Sequence, residues 1–355
     1  MSMVSHRREV LAGIGAAALL AGVPRRTRAA DSITVLNWQG YGTDEDWAVK
    51  AFTERTGIEV IHDYFNAEAE MVTKLRTNPG AYDVVLINTA RIAQVAAEGL
   101  IDPADFSAVP HASGLTPSLR DHANLTVDGK PMGVAWVWGM NALAVRQGKT
   151  KPDSFAALSD PAWAGRVAHF DDAVTAVMIG ALLTGQDSAN PADLAKVGDA
   201  LKAMKPGVKL IWTSEDQWNK AFAANEFDLA VYWSGAAVRS QRTYKLPLDF
   251  VVPKEGAIGW LDCLAIPATS EKKEQGQKFV DWMIDPEFYV EWATRAGAPA
   301  SASETAMGRL PADDLNRRIH DPAHLSTMHL MAPLPDEQRE AWNNLWQEVK
   351  AYYAA

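Results

Sequence analysis

Apolar and polar positions change period repeatedly along the chain. Ile33–Asn37 is a short β-rich run, Asp44–Thr56 has helical spacing, and Glu59–Tyr64 alternates residue by residue. The helical period returns over Ala67–Thr77 and gives way to a continuous apolar run at Asp83–Asn88. Helical stretches exchanging with short apolar strands predict a parallel α/β sheet. Trp136–Trp138 and Leu143–Val145 read as two further short strands, after which the alternation restarts. It runs through strand Arg166–Phe170, helices Thr175–Leu183 and Ala192–Met204, strand Lys209–Trp212, helix Glu215–Ala223 and strand Asp228–Trp233. A strand at Leu261–Ile266 leads into helices Lys272–Ile284 and Glu287–Ala296, and a polar stretch precedes a last helix, Asp336–Ala355. Two successive α/β units predict two lobes with a cleft between them. On the last helix Trp342, Leu345, Trp346, Val349 and Tyr353 share one face, which is expected to pack onto a lobe rather than dock a partner.

The first thirty residues stand apart as an export signal with a basic start, an apolar middle and a small-residue end. Arg7-Arg8 followed by Glu9, Val10 and Leu11 has the twin-arginine pattern. The apolar run Val10–Val23 is shorter than the roughly 20 residues a membrane span needs, and Arg25, Arg26 and Arg28 follow it. Cleavage is expected near Ala29 or Ala30, which places the mature protein in the periplasm.

Composition narrows the function. The 355 residues carry a net charge of −10, and the first thirty hold five arginines and one glutamate, so the mature chain reaches −14. Nucleic acid is an unsuitable partner for such a chain and a cation is a suitable one. Cys263 is the only cysteine, which excludes an intrachain disulfide and a cysteine metal cluster. Thirteen tryptophans exceed both the tyrosines and the phenylalanines, and large π-faces serve cation binding as well as core filling.

The sequence carries no signature of catalysis. Gly148-Lys149-Thr150 lacks the first glycine of a phosphate loop, and no nucleophile elbow or zinc-protease motif occurs. His320, His324 and His329 lack a carboxylate cluster and read as surface histidines, while Cys263 reads as a buried, inert thiol. No catalytic residue, metal or cofactor is expected.

Several strands end in an aromatic or acidic residue. Trp38 closes the first, with Tyr41 three residues on; Asp171 and Asp172 follow Arg166–Phe170, either of them also suited to cap the next helix; Trp233 closes Asp228–Trp233. Ligands of open α/β sheets sit beyond the carboxyl ends of the strands, so these residues are expected to face one crevice. Trp260 and Asp262, two apart on a strand, share one face.

These residues lie in longer segments: Asn37-Trp38-Gln39-Gly40-Tyr41, Gly80 through Val85, Val137-Trp138-Gly139, Asp171-Asp172-Ala173, Tyr232-Trp233-Ser234-Gly235, and Pro253 through Pro267. In order and over nearly all of the mature chain, they resemble the spermidine/putrescine-binding proteins among the periplasmic solute-binding proteins of ABC importers. The resemblance implies an α/β, two-lobed periplasmic binding protein fold of type II with two hinge-crossing strands, residues 31–137 with 261–306 forming lobe 1 and 138–260 with 307–355 forming lobe 2. It implies that Trp38, Tyr41, Trp233 and Trp260 form an aromatic box, that Asp172 and Asp262 supply carboxylates, and that Gln39 and Asn88 join them. Arg91 and Thr175 are placed behind that layer. The implied partners are a small cationic solute and an inner-membrane ABC permease, and a monomer is expected. The family usually has an aromatic at Ala90, a glutamate at Thr175 and a tyrosine at Ala298. With those partners absent, a solute of one or two charges is expected to outbind spermidine. Two alternatives stay open: a zwitterion whose carboxylate meets Arg91, and a periplasmic enzyme on the same scaffold.

Overall fold

A computed structural model describes residues 31–355, so the twin-arginine segment lies outside the described residues. One mixed sheet runs through the molecule. Its strand order is Ile58–Tyr64, Asp31–Asn37, Val84–Asn88, Ile258–Ala265, Val134–Arg146, Leu229–Trp233, Val167–Phe170, Val208–Trp212. The first three strands are mutually parallel, as are the last three. Between them Val134–Arg146 and Ile258–Ala265 run antiparallel to each other and to their outer neighbours. These are the two crossing strands of a two-lobed α/β molecule.

Register explains where the cleft forms. Asp262 on the second crossing strand pairs with Asn88, the last residue of its strand, and Asn141 on the first pairs with Trp233, also a strand end. The crossing pair thus brings the carboxyl ends of both lobes' parallel strands toward one place. A register shift between Asp262 and Cys263 interrupts the ladder beside the site, and such bulges re-aim side chains.

The first crossing strand corrects the expectation of two short strands. It is a single 13-residue strand, buried along all but its last residue, because it is covered on both faces and paired along both edges. The polar stretch after Ala296 contains three short helices, Glu304–Arg309, Leu315–Ile319 and Pro322–Thr327. Two further helices, Thr89–Ala97 and Ser234–Arg242, begin directly at strand ends. The last helix, Asp336–Ala354, packs Trp342, Trp346 and Val349 against the helices Ala173–Leu183 and Leu194–Lys202. Its aromatic face belongs to the core. Most of the tryptophan excess does too: Trp136, Trp138, Trp212, Trp218 and Trp342 are fully buried.

Candidate functional site

The first wall is the loop after strand Asp31–Asn37. The Asn37 side chain is buried and holds this loop from inside, with Nδ2 donating to Thr43 Oγ1 at 2.8 Å and Oδ1 accepting from the Trp38 N–H at 2.7 Å. Gly42 has φ +86°, and a Cβ there would lie 2.4 Å from the Trp292 ring. Only glycine allows the turn and the close approach together. The turn presents Trp38, edge-on to Phe65 with ring centroids 4.6 Å apart, and Tyr41, edge-on to Trp136.

The second wall comes from the other lobe. Trp233 ends its strand and is braced by Phe170 and Trp212, each with centroids 4.9 Å away. One turn into the helix that follows, Gly235, Ala236 and Arg239 face the same space. Trp260 closes the back. It is paired with Gly139 across the crossing strands, where a Cβ would stand 2.4 Å from the indole.

These elements enclose a cavity of about 400 Å³ lined by Trp38, Tyr41, Asn88, Trp233, Trp260 and Asp262, together with Glu68, Arg239 and Pro299. Asp262 is its chemical centre. Its carboxylate is only 6% exposed, accepting from the Tyr41 hydroxyl at 2.9 Å and from Asn88 Nδ2 at 2.8 Å. Burial pushes its pKa up to about 6, against the pull of those two donors. Burial and the Asp262 charge hold the Tyr41 phenol well above its usual range. Glu68 is raised to about 8, by burial first and the Asp262 charge second, while Arg91 and the Asn88 backbone pull it down. Its Oε2 is buried without a hydrogen-bond partner. Two carboxyl groups at an apolar, ring-walled cavity, both costly to ionise, suit a ligand that brings positive charge.

Four residues expected at the site stand outside this lining. Gln39 is exposed beside the loop. Asp172 caps the helix Ala173–Leu183, its Oδ1 accepting from the Thr175 N–H at 2.7 Å, so its side chain is engaged locally rather than offered to the cavity. Thr175 is 2% exposed and accepts from Asn141 Nδ2 at 2.8 Å. Arg91 donates to Gln94 and acts on Glu68 through its charge. Asp171 is engaged elsewhere, by Trp346 Nε1 and Lys350 Nζ. Ala298 is 1% exposed and opens no space; Pro299 beside it forms the wall. Cys263 is buried against Ile87 and its thiol is pushed up by burial, consistent with inertness. A wider groove of about 820 Å³ lies between Lys149, Asp153, Trp163 and Asp228, at the amino ends of the strands Val167–Phe170 and Leu229–Trp233 rather than their carboxyl ends.

Sequence reasoning missed Glu68 and Arg239. Glu68 opens a helix whose acidic first turn looks like ordinary helix-dipole complementarity. Arg239 sits on a helix the apolar pattern did not disclose, although Gly235, Ala236 and Arg239 at helical spacing describe two small residues beneath one cation.

Residues 47–315 match the bacterial extracellular solute-binding protein family over most of the chain. The chain belongs to that family. Spermidine/putrescine-binding periplasmic protein 1 of Haemophilus influenzae is 30% identical over 282 residues, covering 77% of this chain and 76% of that protein. A putrescine-binding periplasmic protein of Escherichia coli K12 is 24% identical, covering 98% of this chain and 100% of its own. Among solved structures, a spermidine/putrescine ABC transporter substrate-binding protein from Streptococcus pneumoniae matches with a TM-score of 0.79 at 20% identity, covering 91% of this chain and 99% of that one. That likeness shows the two-lobed fold. Solute-binding proteins of this kind take up a small solute and deliver it to a membrane permease.

Proposed function

We propose that the protein is the solute-binding component of an ABC importer for a small organic amine, held as an ammonium on Asp262 between the rings of Trp38, Trp233 and Trp260. The observation that carries this reading is Asp262: a buried carboxylate with two donors, facing a cavity walled by aromatic rings. A cation over an aromatic face gains roughly 0.5–2 kcal/mol, and an ammonium about 4 Å from a carboxylate gains about 4 kcal/mol at an effective dielectric of 20, before desolvation. Micromolar affinity needs about −8 kcal/mol, so a few such contacts suffice. Putrescine is the reference solute, because relatives are named for it. Spermidine is too highly charged for a wall that offers Asp262 and a Glu68 held near 8.

Around the cavity the side chains are rings, carboxyls, an amide and a guanidinium; its hydroxyl–carboxylate pair, Tyr41 with Asp262, is a phenol held well above its usual range by burial and the Asp262 charge, a poor nucleophile, which favours binding over catalysis. The lobes are taken as 31–137 with 261–306 and 138–260 with 307–355, hinged on the crossing strands, and the protein as a periplasmic monomer exported folded. Replacing Arg7 and Arg8 by lysine should leave precursor in the cytoplasm, and undiminished export would refute that route. The amine reading is tested by tryptophan fluorescence on ligand-stripped protein titrated with amines, sugars and carboxylic acids. Saturable response to at least one amine supports it; response to sugars or acids alone overturns it.

A further inference from the structure

One charged residue of the cavity wall has no task in amine binding. Arg239 carries five N–H donors. Its Nε donates to Glu215 at 3.0 and 3.2 Å, its Nη2 also reaches Glu215, and its Nη1 donates to the Gly297 carbonyl at 3.3 Å. That engages three N–H groups. Among the described residues no acceptor takes the other two, one on each terminal nitrogen. Free N–H donors on a guanidinium are suited to a carboxylate.

The surroundings fix which charge this pole accepts. Glu215 is already paired with Arg239, so it offers no free negative charge to a second ammonium. A diamine anchored at Asp262 with its other ammonium directed at the guanidinium would meet a like charge, which opposes binding. Arg239, Asp262 and the Tyr41 bonded to it line the same cavity. The small residues Gly235 and Ala236 and the apolar side chains of Trp233, Trp260 and Pro299 line the cavity that holds both charged groups. Arg91, the carboxylate partner suggested by the sequence, is bonded to Gln94 and stands outside the lining.

We infer that the solute is a short zwitterion, an ω-amino acid or a betaine, with its ammonium on Asp262 and its carboxylate on the free end of Arg239. This rests on the amine reading of the same cavity and adds the second pole to it. Calorimetry on ligand-stripped protein with ω-amino acids of three to five carbons, glycine betaine, and the diamines and monoamines of matching length tests it. The best zwitterion should bind at least tenfold tighter than the best diamine and the best monoamine. In Arg239→Gln the ratio of zwitterion to monoamine affinity should fall at least tenfold, and Arg239→Lys should restore it only in part. Should either variant fail to fold, the ranking on the unmodified protein decides. A diamine or monoamine that outbinds every zwitterion overturns the second pole and leaves the amine reading standing. Absence of binding by all four classes overturns the amine reading itself.

Discussion

Asp262→Asn should move stability and affinity in opposite directions. The carboxyl pKa is raised from 3.8 to about 6 by burial. A raised acid binds its proton more tightly in the folded state, so its ionised form opposes folding. The penalty is absent below pH 4, grows as pH rises through the interval to 6, and above that amounts to about 3 kcal/mol. An amide of the same shape escapes it. The existing partners can also be kept, since the new oxygen can accept from Asn88 Nδ2 while the new N–H₂ donates to the Tyr41 oxygen. Glu68 loses a neighbouring negative charge, which works in the same direction. The ligand-free variant should therefore match or exceed the parent at pH 7, by up to about 3 kcal/mol, with the gain shrinking toward pH 4. Amine affinity should meanwhile fall by about 2–5 kcal/mol, or about thirty-fold to several thousand-fold. Urea denaturation of stripped protein at both pH values, beside calorimetry with the best amine, reads both effects. A variant that loses more than about 1 kcal/mol when ligand-free yet retains its affinity would show Asp262 to be a structural group and refute the reasoning.

Three other outcomes follow from neighbouring residues. Gly139→Ala puts a methyl 2.4 Å from the Trp260 ring and 2.9 Å from Ser234 Oγ, so it should cost about 1–3 kcal/mol of stability and lower amine affinity at least tenfold by displacing the ring, both visible in denaturation and calorimetry. Glu68 ionises near 8, facing Asp262 and Arg91; affinity for a cationic amine should rise from pH 7 to 9 as Glu68 loses its proton, and Glu68→Gln should flatten that slope in a pH series. Asp172→Ala should destabilise the second lobe by about 1 kcal/mol through the lost helix cap while leaving amine affinity unchanged, and a tenfold loss in calorimetry would return Asp172 to the site.

The architecture was legible because the sheet is built from short, strongly patterned strands. The first strand, the helices Glu215–Ala223 and Asp336–Ala354, and the place of Trp233 at a strand end could all be read from period and punctuation. The long crossing strand was hidden because Gly139-Met140-Asn141 interrupts its β-branched character, although both faces are buried. The helices Thr89–Ala97 and Ser234–Arg242 were hidden because they start where strands stop, with no linker between them.

At the site, the distinction lay between residues on strands and residues on helices. Trp260, Asp262 and Trp233 could be placed because strand alternation and strand ends fix direction. Glu68 and Arg239 could not, because their approach to the cavity comes from tertiary packing: burial near Asp262 for one, and the anchoring by Glu215 and Gly297 for the other. Asp172 shows the converse. Its position after a strand suits a ligand carboxylate and a helix cap equally, and the backbone of the next turn took it.

The most direct measurement is a crystal structure of the protein with its tightest-binding amine. An ammonium nitrogen should lie within hydrogen-bond distance of Asp262, enclosed by Trp38, Trp233 and Trp260. An amine seated in the groove between Lys149 and Trp163, or in the cleft with its nitrogen turned away from Asp262, would contradict it.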